Sequence, residues 1–255
     1  MSQIIDIKFL SDIALLAGSE ILKIYDSNNF NIELKQDDSP LTKADKISHN
    51  IIVSALAEKY PDIPVISEEG KGIPADEREK WSSFFLVDPL DGTKEFIKKN
   101  GEFTVNIALI RDKYPVAGVI YAPVLSDLYH ADEENGAFHI KKGVKSSIKT
   151  EKFTDGKIKA VKSRSHSSPE EDEILSKFDA TESISIGSSL KFCLVASGKA
   201  QVYYRKNPTW EWDTAAGQAI VEISGGFVTT GGERLSYNKP TLLNSSFLAT
   251  SLDHS

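Results

Sequence analysis

The segment Asp88-Pro89-Leu90-Asp91-Gly92-Thr93 follows the apolar run Phe84-Phe85-Leu86-Val87 and offers two carboxylates three residues apart, a glycine and a hydroxyl. Pro89 disfavours the helical region at Asp88, so the strand is expected to end there and the chain to turn. Across such a turn both carboxylates can face one point. Gly92 permits a close backbone approach, and Thr93 to Ile97 reads as a short helix whose free amides and positive dipole end attract anions. Carboxylates, open amides and a hydroxyl then converge on a phosphate. Two like charges that close repel and ordinarily require a cation between them. Oxygen ligands without soft donors point to magnesium.

Read alone, Asp-Pro followed by Asp-Gly is also ordinary turn chemistry. Asp213, ahead of Thr214-Ala215-Ala216-Gly217, reads alone as a helix N-cap, and Glu68-Glu69 as solvated charge. The three sites gain weight together, because each falls at an expected strand or helix end, where α/β-type folds gather reactive groups.

The elements that must position them can be read from periodicity. Ile4, Ile7, Leu10, Ile13, Ala14, Ala17, Ile21 and Ile24 mark one face of an amphipathic N-terminal helix. A short strand over 31–35, turn chemistry at Asp37-Asp38-Ser39-Pro40 and a second helix over 44–58 come next. Apolar runs at 63–67 and 84–87 end in acidic residues, as strands delivering carboxylates to one rim would. Runs at 103–110, 116–122 and 128–130, separated by Asp112-Lys113 and Ser126-Asp127, predict an antiparallel meander, and Asn135-Gly136 continues the hairpin signal. The polar stretch 141–157 is the expected boundary between an α+β half (1–150) and an α/β half (151–255). In the second half, strands at 159–162, 183–186 and 201–204 alternate with helices at 170–178, 190–196 and 214–223.

Composition narrows the function. At 255 residues, 40% hydrophobic and 26% charged, the chain can bury a real core. Thirty basic against 37 acidic residues give a net charge of −7, which argues against a nucleic-acid polymer as partner. A phosphate ligand therefore needs locally supplied cations. Lys191, near an expected helix start, is unfavourable with the dipole, which favours an anionic partner for it. Arg205 follows an expected strand. The single cysteine, Cys193, excludes an internal disulfide and suits a reducing, cytoplasmic setting. No segment reads as a signal peptide or an integral membrane span.

Ser39-Pro40-Leu41-Thr42-Lys43-Ala44-Asp45, Ser67-Glu68-Glu69, Asp88 to Thr93 and Trp212 to Gly217 resemble, in order, the signature blocks of the inositol monophosphatase superfamily of magnesium-dependent, lithium-sensitive phosphomonoesterases. The runs Lys94-Glu95-Phe96-Ile97, Gly101 to Asn106, Ser163-Arg164-Ser165-His166 and Ser185 to Leu194 resemble its bacterial 3'(2'),5'-bisphosphate nucleotidase branch. The similarity spans nearly the whole chain. It implies a layered αβαβα sandwich and hydrolysis of adenosine 3'(2'),5'-bisphosphate, or the adenylyl sulfate bearing a 3'-phosphate, in the service of sulfate assimilation. An inositol or sugar monophosphatase is the alternative, and a silent nucleotide-binding regulator the remote one.

The resemblance also implies roles. Glu68, Asp88 and the Leu90 carbonyl would hold a first magnesium, and Asp88, Asp91 and Asp213 a second; a third, weaker ion lies near Glu68 in the family. Asp91, Gly92 and Thr93 would bind phosphate, and Asp45, Glu68 and Thr93 would orient and activate the attacking water. His166, Ser188, Lys191 and Arg205 would contact the nucleotide, with Glu68, Leu90 and Asp213 also touching substrate. The run Asn207 to Glu211 matches no family block and leaves the lid over the base unassigned. The superfamily holds monomers, dimers and tetramers, and close relatives have been assigned to the cytoplasmic face of the inner membrane as peripheral proteins.

Overall fold

The computed structural model describes residues 5–27, 30–34, 40–164 and 169–252. Its first half contains helix α1 (Ile7–Ser27), the two-residue strands β1 (Glu33–Leu34) and β2 (Pro40–Leu41), helix α2 (Lys43–Lys59), strand β3 (Val65–Ser67) and the short helix α3 (Ala75–Arg78). Strand β4 (Ser83–Asp91), helix α4 (Thr93–Ile97) and the meander β5 (Thr104–Arg111), β6 (Tyr114–Ala122), β7 (Asp127–Asp132), β8 (Gly136–Lys141) and β9 (Val144–Ser147) complete it. Then come β10 (Lys159–Ser163), α5 (Pro169–Ser176), β11 (Glu182–Ile186), α6 (Leu190–Ala196), β12 (Val202–Arg205), β13 (Thr209–Trp210) and α7 (Glu211–Ile223). The last strands are β14 (Phe227–Thr230), β15 (Glu233–Arg234), β16 (Leu243–Asn244) and β17 (Phe247–Thr250).

Strands β3 to β9 form one sheet in sequence order, with only the β3/β4 pair parallel. Alternation along each strand sends side chains to two cores. Phe85, Val87, Val105, Ile107, Leu109 and Val119 pack with Leu10, Ala14, Ala17 and Ile21 of α1 and with Ile52 and Leu56 of α2. Phe84, Leu86, Ala108, Ile110 and Ile120 face the other way, onto Phe192 and Val195 of α6 and Ala215, Ala216 and Ile220 of α7. The same layer continues into Val161, Tyr203, Val228, Phe247 and Ala249 of the second sheet, ordered β11-β10-β12-β17-β14-β15. Leu175 of α5 covers that sheet's far side with Ala160 and Val202. The result is the layered αβαβα sandwich expected from the sequence.

Three details differ from the sequence reading. Strand β4 runs through Pro89 to Asp91 instead of ending at Asp88. The residue before a proline is restricted to extended backbone, which a strand tolerates, and the missing amide is absorbed by a register shift between Asp88 and Asp91 opposite β5. Second, α7 begins at Glu211, so Asp213 is not the N-cap; it occupies the third helical position and accepts the Trp210 amide at 2.9 Å. Third, the second sheet is mixed: β10, β11 and β12 are parallel, whereas β17 and β14 join antiparallel. The expected turn at 37–39 lies outside the described residues, as do Ile4 and Lys35.

The sheet-to-helix contact is tight. A Cβ on Gly118 of β6 would lie 2.7 Å from the Ala216 carbonyl and 2.8 Å from the Ala219 methyl. Backbone cannot yield as a flexible side-chain tip can. Gly118→Ala is therefore expected to cost about 1–3 kcal/mol through overpacking, seen as a lower urea midpoint at unchanged slope. An unchanged midpoint would show that α7 can lift off the sheet.

Candidate active site

Three carboxylates meet at the rim where β3, β4 and α7 converge. Glu68 follows β3, and its amide donates to the Val87 carbonyl at 3.1 Å, which keeps it beside β4. Asp88, 2% exposed, projects from β4 and accepts the Leu90 amide at 3.0 Å. Asp213 reaches the same point from the first turn of α7. One oxygen from each of Glu68, Asp88 and Asp213 lies within 4.8 Å of the other two.

Asp91 stands beside this cluster with one oxygen engaged elsewhere. Its Oδ2 accepts from the Ser188 hydroxyl at 2.5 Å, the Ser189 amide at 2.6 Å and the Thr104 hydroxyl at 3.4 Å. The loop between β11 and α6 thus grips a carboxylate of the first half.

The electrostatics reflect this crowding. Burial, reinforced by the negative charges of Glu68, Asp91 and Asp213, pushes the Asp88 carboxyl well above its ordinary value. Burial, then Asp91 and Glu68, does the same to Asp213, against smaller opposing effects from the Trp210 amide and Arg205. Oxygen-only donors of like charge at this spacing fit a hard divalent cation.

A metal-free protein should show the strain. The folded state holds Asp88 and Asp213 more readily neutral than the unfolded chain does, so their contribution is fully present below the ordinary carboxylate value of 3.8 and is lost as pH rises toward the raised values. In EDTA the denaturant midpoint is expected to fall as pH climbs from about 4 toward neutrality, and added magnesium should restore it. A midpoint independent of magnesium at neutral pH would contradict a cation site here.

Asp45, Gly92 and Thr93 line up behind the cluster. Asp45 is the third residue of α2, and its Oδ2 accepts from the Thr42 amide at 2.7 Å and the Thr42 hydroxyl at 2.5 Å in a capping box. This fixes its orientation and leaves Oδ1 for the Thr93 hydroxyl, 3.3 Å away. The Leu90 carbonyl is an alternative acceptor for that hydroxyl at 3.4 Å. Gly92 takes φ +92 at the start of α4, which L side chains rarely adopt.

The site also holds cations. A cavity of about 270 Å³ is lined by the acidic Glu68, Asp91 and Asp213, by Gly92, Thr93, Ser188 and Tyr203, and by the cationic Lys191 and Arg205. Lys191 is 6% exposed, donates to the Ser188 carbonyl at 2.6 Å and lies 5.4 Å from the Tyr203 ring centre. Burial lowers its pKa to about 8, with Arg205 adding to the effect and Asp91 opposing it.

The structure brings together every site residue expected from sequence except His166, which lies outside the described residues; Asp45 and Leu90 join through the Thr93 hydroxyl and Asp88 through the carboxylate cluster. Sequence reading missed Ser163, Glu95, Tyr203 and Phe247 as lining residues. The runs containing Glu95 and Ser163 had carried only resemblance; Tyr203 and Phe247 gave no signal beyond strand-like apolarity.

An αβαβα sandwich with acidic residues at its strand rim and helix start is a phosphatase-type architecture, and the chain belongs to the inositol monophosphatase family, whose description matches residues 6–255. Within that family it is 48% identical over 238 residues to the 3'(2'),5'-bisphosphate nucleotidase CysQ of Salmonella typhimurium, covering 92% of this chain and 95% of that protein. It is 45% identical over 235 residues to CysQ of Escherichia coli K12, covering 91% and 94%. The crystal structure of CysQ from Bacteroides thetaiotaomicron superposes with a TM-score of 0.84 at 43% identity, covering 96% of this chain and 98% of that one. Among the described residues, no helix is long and apolar enough to cross a membrane.

Proposed function

We propose that this chain is a magnesium-dependent 3'(2'),5'-bisphosphate nucleotidase that converts adenosine 3'(2'),5'-bisphosphate to AMP and phosphate and acts on the adenylyl sulfate bearing a 3'-phosphate as a second substrate. One observation carries the reading: carboxylates of the acidic cluster and a pair of cations, Lys191 and Arg205, line one cavity. The first suits a cation and the phosphate being cut, the second the phosphate being kept. An inositol ring carrying a single phosphate offers these cations hydroxyls but no second phosphate. The relatives at 45–48% identity, all named as bisphosphate nucleotidases, support the same choice.

The reaction moves few atoms. A water oxygen attacks phosphorus, the bond from phosphorus to the ester oxygen breaks, the nucleoside oxygen takes up a proton, and inorganic phosphate leaves. Glu68, Asp88, Asp91, Asp213 and the Leu90 carbonyl would hold magnesium as two ions, with a weaker third near Glu68. When bound, magnesium supplies the positive charge that stabilises the flattened phosphoryl group and the departing oxygen.

The chain's own groups position the water and the phosphate. With the Thr93 hydroxyl donating to Asp45 Oδ1, its oxygen can accept a hydrogen bond from the attacking water and pass the proton on to the Asp45 carboxylate. Glu68 offers a second acceptor at the same mouth. Gly92 and Thr93 present amides to phosphoryl oxygens, and Arg205, Lys191 and Ser188 bind the nucleotide's other phosphate and sugar. The division of labour between 1–150 and 151–255, one cutting and the other choosing, belongs to this proposal, as do a cytoplasmic location, lithium sensitivity and the link to sulfate assimilation.

The test is phosphate release from adenosine 3',5'-bisphosphate, inositol 1-phosphate and fructose 1,6-bisphosphate, with magnesium, with EDTA and with lithium added to magnesium. The bisphosphate nucleotide should be the fastest substrate, with release abolished by EDTA and inhibited by lithium. Faster turnover of inositol 1-phosphate would reassign the enzyme as an inositol phosphatase. Release that survives EDTA would end the metal reading.

A further inference from the structure

Glu102 sits in the loop between α4 and β5 and is not among the residues that line the cavity. Its Oε2 accepts from the Gly187 amide at 2.8 Å and from Arg164 Nε at 2.7 Å, while its Oε1 accepts from Arg164 Nη2 at 2.7 Å. Arg164 Nη2 donates in addition to the Ser185 carbonyl at 3.0 Å. One carboxylate of the first half thus holds two segments of the second, the end of β10 and the end of β11.

The turn that begins at Gly187 gives this contact its meaning. A Cβ on Gly187 would lie 3.0 Å from the Glu102 carbonyl oxygen and 3.1 Å from Glu95 Cγ, so the turn is seated directly on the first half. The next residue, Ser188, has φ +54, a conformation that disfavours a side chain and persists only where its surroundings enforce it. Its hydroxyl and the Ser189 amide are the donors that take Asp91 Oδ2. The Ser189 hydroxyl is itself fixed by donating to Asn106 Oδ1 at 2.8 Å on β5. Contact therefore passes from Arg164 to Glu102, to the Gly187 amide, to the strained turn and to Asp91.

We propose that Glu102 is a positioning residue for the cation and phosphate site: it seats the Gly187–Ser189 turn so that the turn holds one oxygen of Asp91 and leaves the other for the cation. This rests on the reading of Asp91 as a metal ligand and deepens it. The charge of Glu102 is matched by Arg164, whose bidentate fork sets the plane of the carboxylate. Outer partners of metal-ligating carboxylates act in this way, by orientation.

The test reads magnesium binding without substrate. Calorimetric titration of the full metal-stripped chain with magnesium chloride is expected to give a dissociation constant raised about tenfold or more in Glu102→Ala, the range seen for outer-shell partners. Glu102→Gln keeps an acceptor for the Gly187 amide and loses only the charge facing Arg164, so its shift should be smaller. Because Ser188→Ala weakens the same chain of contacts, Glu102→Ala combined with it should lose less than the product of the two single losses. In steady-state assays, Glu102→Gln should need more magnesium for half-maximal rate while its KM for nucleotide at saturating magnesium stays near wild type.

A lower denaturation midpoint with unchanged magnesium affinity would make Glu102 a purely structural tie and overturn the proposal. If the wild-type chain takes up no magnesium, the cation reading fails and this inference with it. If wild type binds magnesium but does not hydrolyse the bisphosphate, only the substrate assignment falls, since the titration contains no nucleotide.

Discussion

Asp88→Asn is expected to lower kcat by about a thousandfold or more while raising the denaturation midpoint of the metal-free protein at neutral pH. Both effects have one cause. Asp88 is buried and faces the negative charge of Glu68, Asp91 and Asp213, so its ionised form is tolerated only when a cation repays the repulsion. An amide of the same shape keeps the packing and removes that charge. Loss of a shared ligand to both proposed magnesium ions forfeits several kcal/mol of charge stabilisation in the transition state, and each 1.4 kcal/mol is about tenfold in rate. Stopped activity with improved metal-free stability is the signature of a functional carboxylate. Wild-type turnover at saturating magnesium would remove Asp88 from the chemistry.

Lys191→Ala is expected to raise KM for adenosine 3',5'-bisphosphate about 10–100-fold and to leave KM for a simple monophosphate within about twofold. A hydrogen bond to a charged group contributes about 1.5–3 kcal/mol, and Lys191 is buried where solvent cannot replace it. Its ammonium lines the same cavity as the carboxylates, where the proposed function has it bind the phosphate that is not being cut. Arg205→Ala should act in the same direction. Equal losses on both substrates would place Lys191 in general anion attraction instead of substrate choice. A fall in denaturation midpoint alone, with KM unchanged, would mean that the hydrogen bond to the Ser188 carbonyl is its whole role.

Much of the scaffold was legible because it is periodic. The spacing of Leu10, Ile13, Ala14, Ala17 and Ile21 gave α1, and the apolar runs at 84–87 and 103–110 gave the central strands. The bounds of α6 came out at the expected residues, 190–196. Pro89 misled because proline chemistry predicts backbone angle better than hydrogen-bond partner: the angle it imposes is extended, and an extended residue can stay in a sheet. Asp213 misled because an aspartate that reaches back to the amide three residues earlier looks in sequence like one that precedes the helix. The closing strands β14 to β17 left little trace, since each spans two to four residues among glycines and prolines.

The site divided along the same line. Carboxylates adjacent to strand ends could be placed at one rim from local pattern, and family blocks supplied their order. The ties that set their orientation were invisible. Ser188 and Asp91 are 97 positions apart, and Arg164 and Glu102 are 62 apart. A hydrogen bond between such positions imposes no period on the chain, so nothing in composition or spacing announces it.

Helices α6 and α7 are the shared filling of two sheets: Phe192 and Ala216 belong to one apolar cluster with Phe84 and Ile110 on one side and Tyr203 and Phe247 on the other. Neither sheet can shed its partner without baring this filling to water, which makes the molecule one cooperative unit despite its two-part chemistry. Opening and closing motions that swing one half wide from the other are thereby denied to it. Traffic at the site is therefore expected to leave this close-packed interior in place.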